Sequence, residues 1–365
     1  MFFRFIFTLL VILLSNNLAA SEKTKALWIV RYALKDKNEV SSILQYARRL
    51  EITDLYVQVR AAGRFFFNSE NNLRHLGQNT AAVNFKKLCR QAELHNIKVH
   101  AWINVLNIWS SSNSPPDNHH IFNSSPMSVL RCWDETKTDY SRLKNLGIEG
   151  YFIDPDDQKN FDNLKVLIKL LINEYSVDGI HLDYFRLPAP EVTASPSLRS
   201  SFVLEQYIDP LNVFDKTRAD TDIRVPAETV YSLYFEFLKN RLTNLLANIQ
   251  LCTKSINPGI ILSIAVKPSP AAARSYYFQD WPKWLETGLC DYAAIMNYVP
   301  ETFDKYLAEC TNLGLDDQIV VGIASYNQGE HAVISKIAKV RQSNFKGYAL
   351  FSYNSLKEKN MLKGF

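Results

Sequence analysis

The sequence predicts an α/β fold of the (β/α)8 TIM-barrel class with long insertions after strands 3 and 4. Three observations carry that prediction. Eight short runs are rich in β-branched or aromatic residues, helix-period segments lie between them, and all but two of the intervals approximate one strand-plus-helix unit. The predicted strands are residues 26–30, 55–59, 98–103, 179–183, 260–266, 292–296, 319–324 and 348–351.

The segments between them support the same reading. EVSSILQYARRL (39–50) and FDNLKVLIKLLINEY (161–175) carry apolar residues at helical spacing, and residues 227–249 place Tyr231, Tyr234, Phe237, Leu238, Leu242 and Leu245 on one stripe. The first long interval holds the polar run SSSNSPPDNHH, which predicts a rim loop after the third strand. Within it, GYFID (150–154) is read as part of that loop and not as a ninth strand. Residues 187–224 contain four prolines and predict an irregular insertion after the fourth strand.

Composition sets outer bounds. A chain of 365 residues that is 47% hydrophobic and 12% aromatic can build a packed core, which argues against disorder or a fibre. A formal charge of +4 falls short of a dedicated nucleic-acid binder, so no nucleic-acid partner is expected. Residues 1–20 read as a signal peptide, with Arg4 before an apolar run and small residues Ala19 and Ala20 at the end. Residues 21–365 then form a single barrel domain. Leu18 stands where a small side chain is preferred, which leaves a retained anchor as the alternative; export follows from both. The run is too short to span a bilayer and none of membrane length follows, so no span is expected after cleavage. Five scattered cysteines, odd in number, fit buried thiols better than a disulfide framework.

Alternation along each strand assigns faces, because the outer face of a barrel packs on apolar helices. By that rule Tyr56, Gln58 and Arg60 face inward on strand two, and His100, Trp102 and Asn104 on strand three. His181 and Asp183 face inward on strand four, Ser263, Ala265 and Lys267 on strand five, and Ala293, Ile295 and Asn297 on strand six. The C-terminal strand ends therefore bring Arg60, Asn104, Asp183, Lys267 and Asn297, with Arg31, to the rim where this fold carries its chemistry. Asp178 and Asp291 precede their strands and belong to the opposite, stabilising end.

Asp183 is the inward carboxylate at a strand end, and the cations Arg60 and Lys267 would keep it ionised, as suits a nucleophile or electrostatic stabiliser. His181, one layer below, either orients Asp183 or is a satisfied core histidine. Glycoside hydrolysis uses two carboxyl groups, about 5 to 9.5 Å apart. Glu70 is the first candidate for the second and Asp154 the next, with Glu191, Asp280 and Glu301 also on rim loops. Asn104 and Asn297 would hold sugar hydroxyls, and Arg60 and Arg186 would meet a carboxylate or acetamido-type group. Trp102, Trp109, Trp133, Tyr184 and Tyr298 lie on or near the rim as stacking surfaces. The alternative for the two asparagines and two arginines is rim packing by side-chain hydrogen bonds, for Glu70 and Asp154 a solvated or structural loop role, and for the aromatics chance placement in an aromatic-rich chain. No phosphate loop, hydrolase elbow or zinc-helix motif is present, and His119 and His120 read as an exposed loop, so no metal or cofactor is expected.

The segment VDGIHLDYFRLP (177–188) resembles the strand-four signature of the glycoside hydrolase-like 10 family, formerly a domain of unknown function. YVQVRAAG (56–63), VHAWINV (99–105), QDWPKWLETGLCDYAAIMNY (279–298) and GYALFSYNSL (347–356) match in family order. The resemblance implies a (β/α)8 fold, export, action on a bacterial polysaccharide such as peptidoglycan, and Asp183 as the key carboxylate. The chain departs from the family pattern at Arg64, where an Asp commonly stands, and at Asn297, where related galactosidase-type barrels place an acid. Both departures leave the general acid unassigned. The expectation is an exported glycosidase with a polysaccharide substrate. The rival readings are a non-catalytic glycan-binding barrel and a metal-dependent polysaccharide deacetylase, for which the ligand set is lacking.

Overall fold

The computed structural model describes residues 23–65, 80–134, 137–214 and 225–362; the expected signal peptide lies outside them. Eight parallel strands form a closed barrel: β1 Thr24–Ile29, β2 Asp54–Ala61, β3 Lys98–Asn104, β4 Gly179–Asp183, β5 Ile261–Val266, β6 Tyr292–Ile295, β7 Ile319–Ala324 and β8 Gly347–Phe351. Each strand pairs with its neighbours in sequence, and β1 pairs with both β2 and β8 to close the ring. The eight runs read from sequence are these strands, with ends moved by a residue or two. Helices Glu39–Arg49, Gln158–Tyr175 and Ala227–Ile256 stand where the helical periodicity put them.

Alternation divides the apolar residues into two cores. Leu55, Val57, Val99, Ile180, Leu262 and their equivalents pack outward on the helices, while Trp28, Tyr56, Trp102, Tyr292, Ala294 and Val320 fill the barrel. The predicted faces hold except in two places. On β6 the inward residues are Tyr292 and Ala294, whereas Ala293 and Ile295 pack outward. Asn297 follows the outward set and donates from Nδ2 to the carbonyl of Phe303 at 2.9 Å, away from the rim. On β2 the register against β3 slips between Gln58 and Arg60, a bulge that makes Val59 the extra residue. Arg60 therefore leaves the interior and reaches the main-chain carbonyls of Asn104 and Val105 and, at 2.7 Å, Oδ1 of Asn160 on an outer helix.

At the N-terminal end, Asp178 accepts from Val99 N at 2.8 Å and Asp291 from Leu262 N at 2.7 Å, bracing adjacent strands. At the C-terminal end the two insertions interlock. Asn107–Trp109 and Tyr151–Phe152 pair as a small antiparallel ribbon outside the barrel, so GYFID belongs to the third loop although it contains a short strand. A bridge from Val129 to Ile153 closes this loop on itself, and one from Arg131 to Ala194 ties it to the insertion after β4. Ser195, which caps helix Pro196–Gln206, donates from Oγ to Asp154 Oδ2 at 2.8 Å. None of the five cysteines is in a disulfide, and four of them are buried. Among the described residues no helix is long and apolar enough to cross a membrane.

Candidate active site

A cavity of about 740 Å³ opens at the C-terminal ends of the strands. Arg31 follows β1, Gln58 comes from β2, Asn104 from β3, Asp183 from β4, Lys267 from just beyond β5 and Tyr298 from the loop after β6. This is the end of the barrel at which the fold carries its chemistry.

Asp183 is held by both oxygens. Trp102 Nε1 donates to Oδ2 at 2.9 Å, and the amide of Tyr184 donates to Oδ1 at 2.6 Å. Tyr184 has φ of +49°, a left-handed backbone that is costly for an aromatic residue and turns the chain sharply at the strand end. Burial raises the Asp183 pKa above the ordinary carboxylate value. This outweighs the Tyr184 amide, the charge of Arg186, the Trp102 donor and the charge of Lys267, all of which pull it down. Of the two cations on which the expectation of an ionised Asp183 rested, Arg60 faces elsewhere and Lys267 is outweighed by burial. A carboxyl group with a raised pKa suits a general acid.

The second carboxyl group in the cavity is Glu149, which sequence reasoning missed. It comes from the third loop, just before the ribbon strand Tyr151–Phe152, and its half-exposed side chain accepts from Arg186 Nη2 at 3.1 Å. Burial alone would raise its pKa, but the Arg186 charge and hydrogen bond, its own backbone amide and Lys267 hold it below the usual range. One signal for it exists in the sequence. A side chain at Gly150 would collide with Trp109 on the opposing ribbon strand and with Ser110 just beyond it, so the glycine beside Glu149 marks a close backbone approach at the rim.

Arg186 is caged by aromatic rings, with centroids at 5.0 Å for Tyr184, 5.3 Å for Tyr277 and 5.5 Å for Phe152. Lys267 Nζ also lies over the Tyr277 ring, 4.5 Å from its centroid. Burial and the charge of Arg186 bring the Lys267 pKa down to about 8, against the opposing influence of Glu149 and Asp183. The cavity thus joins two carboxyl groups, whose surroundings push their pKa values in opposite directions, with the cations Arg31, Arg186 and Lys267.

The structure brings Trp102, Asn104, Asp183, Arg186, Lys267 and Tyr298 to this cavity. It takes four predicted site residues away from it. Arg60 and Asn297 are turned out as described above. Asp154 is fully buried beneath the insertions, where burial raises its pKa to about 7 and Ser195 Oγ and the Asp156 amide are its donors. His181 is also fully buried. Its Nε2 accepts from Trp28 at 3.2 Å, its Nδ1 donates to Ser263 at 2.9 Å, and Tyr56 stacks on it at 4.2 Å, so it braces Trp28 on the cavity wall without a hydrogen bond to Asp183. Burial and the neighbouring His100 press its pKa well below the usual histidine value. Glu70 lies outside the described residues.

The remaining rim candidates are placed elsewhere. Asp280 pairs with Arg274 at 3.2 Å, and neither it, Glu191 nor Glu301 lines the cavity. Trp133 stacks on Phe214 at 4.6 Å inside the insertions, and Trp109 meets Arg64 and His120. His119 is exposed as expected, whereas His120 is buried and donates to the carbonyl of Ala62 at 2.9 Å. Among the described residues no group of three or more His, Cys, Asp or Glu is arranged to hold a metal.

Comparison with known proteins agrees with this architecture. The chain is 24% identical over 357 residues to Glycosyl hydrolase DigH of Escherichia coli (strain K12), covering 87% of this chain and 71% of that protein. Among solved structures, a β-galactosidase from Bacillus circulans sp. alkalophilus superposes with a TM-score of 0.61 at 11% identity, over 91% of this chain and 50% of that one. The catalytic domain of a β-amylase from Paenibacillus polymyxa gives 0.59 at 10% identity, over 92% and 94%. At these identities the structural likeness is one of fold. The profile described as Glycosyl hydrolase-like 10 matches residues 23–314, a span that includes β1 to β6, Asp183, Glu149, Arg186 and Lys267. The chain belongs to the Glycosyl hydrolase-like 10 family.

Proposed function

We propose that this protein is an exported glycoside hydrolase acting on a bacterial cell-wall or other polysaccharide, with Asp183 as general acid and Glu149 as its ionised partner. The observation that carries the reading is the pairing of these two carboxyl groups in one cavity, with pKa values moved apart by their surroundings. Asp183 gives its proton to the glycosidic oxygen as the bond to the anomeric carbon breaks. Water supplies the hydroxyl group that replaces it, and its proton passes to Glu149. Trp28, Trp102 and Tyr298 offer ring faces to the sugar, while Arg186 and Lys267 meet an anionic or acetamido-type substituent. Export rests on the signal-like pattern of residues 1–20.

The test is product analysis after incubation with purified peptidoglycan, with and without its stem peptides, and with other bacterial glycans. Soluble fragments should appear with the wild type and disappear with Asp183→Asn, which keeps the fold. Saturable binding without product from any glycan would replace this reading with that of a binding barrel.

A further inference from the structure

Along the β1 to β3 side of the cavity runs a row of hydrogen bonds with a fixed direction. Arg31 Nη1 donates to Gln58 Oε1 at 3.0 Å, and Gln58 Nε2 donates to Asn104 Oδ1 at 3.5 Å. All three residues line the cavity, and Asn104 is the register partner of Asp183 on the next strand. A primary amide carries an acceptor at one end and donors at the other, so which end faces a cavity is set by the network that holds it. A guanidinium has donors alone. Arg31 therefore draws the carbonyl of Gln58 toward itself and leaves the NH2 group for Asn104. Asn104 must answer with its carbonyl, and its own NH2 group is left over. Among the described residues that nitrogen has no protein acceptor. The Asn104 backbone is fixed from behind, since Arg60 holds its main-chain carbonyl.

We propose that Gln58 is a positioning residue that orients Asn104, so that the cavity offers N–H donors beside Asp183 and the sugar group docking there is an acceptor oxygen. The inference rests on the glycan reading of the site, which it sharpens. Gln58 acts through Asn104. An isosteric carboxylate at position 58 keeps the bond from Arg31 as an ion pair, but it cannot donate to Asn104. The Asn104 amide then turns its NH2 group toward position 58 and shows the cavity its oxygen.

The test is a double-mutant cycle read by tryptophan fluorescence, because Trp28 and Trp102 line the cavity. The probe is peptidoglycan oligosaccharide released by a muramidase, with turnover measured in parallel. Gln58→Glu should weaken binding and kcat/KM by about tenfold, as expected for a lost donor and a misplaced acceptor, with the melting temperature retained. In an Asn104→Leu background the same substitution should change neither by more than about twofold. Arg31→Met, which frees the Gln58 amide to rotate, gives a second reading in the same direction should Gln58→Glu fold poorly. Unchanged binding in Gln58→Glu, or an equal loss in the Asn104→Leu background, overturns the proposal. A positive cycle without any product would leave the positioning role standing and remove the hydrolase reading. Product formation with a flat cycle would do the reverse, and a wild type that neither binds nor cleaves overturns both.

Discussion

Trp102 donates its indole N–H to Oδ2 of Asp183 at 2.9 Å, so a ring on the cavity wall from β3 holds the acid on β4. A donor to a carboxylate favours the ionised form and here works against burial, which raises the Asp183 pKa. Trp102→Phe removes the donor and keeps most of the ring. The Asp183 pKa should then climb further, moving the alkaline limb of the kcat profile upward by on the order of one pH unit. A limb that stays in place would mean that another group controls it.

Arg186 lowers the pKa of both carboxyl groups, through charge at Asp183 and through charge and a hydrogen bond at Glu149. Arg186→Met should therefore move both limbs of the pH profile to higher pH, the acid limb more, because Glu149 loses its hydrogen-bond partner as well. Lys267→Met should act in the same direction, with a difference in range. Lys267 loses its own charge near pH 8, so wild-type and variant profiles should differ below that value and converge above it. Profiles that differ equally at all pH values would contradict a role through charge.

The barrel was legible because its outward strand residues are branched and apolar while its inward ones are polar or aromatic, a contrast that alternation exposes at Leu55, Val99 and Ile180. On β6 that contrast vanishes. Ala293 and Ala294 are indistinguishable by polarity, and the polar end residue Asn297 suggested the wrong register. Arg60 was misplaced for a different reason, since a one-residue bulge reverses every face beyond it and leaves no mark in composition. Glu149 sits in a loop, where periodicity carries no information. Its place depends on the ribbon pairing of segments far apart in sequence.

Asp154 makes a prediction about stability. Its carboxyl is buried, bonded to Ser195 and the Asp156 amide, and burial with the nearby Asp156 and Asp157 raises its pKa to about 7. A group with a raised folded-state pKa stabilises fully below its unfolded value and loses that contribution as pH rises through the folded value. The wild type should therefore lose stability between about pH 4 and pH 7, by up to about 4 kcal/mol. Asp154→Asn carries no such charge and still offers Ser195 a partner. Its urea midpoint at pH 8 should exceed that of the wild type, and the two should agree near pH 4.

Arg60 separates a structural cation from a substrate-binding one. Its guanidinium is buried and satisfies the carbonyls of Asn104 and Val105 and the side chain of Asn160, joining β3 to the start of helix Gln158–Tyr175. Burial lowers its pKa to about 10, so the charge is present throughout the neutral range. Arg60→Met would leave those buried acceptors without donors, at a cost of about 2 to 4 kcal/mol. The expected signature is a lower urea midpoint at every substrate concentration, accompanied by a fall in kcat as Asn104 loses its rear support beside Asp183. A residue that held substrate from the rim would give the opposite pattern, a raised KM in a protein of unchanged stability. Measuring both quantities on one variant decides between the two roles, because a bulge-reversed arginine cannot reach the cavity it would need to serve.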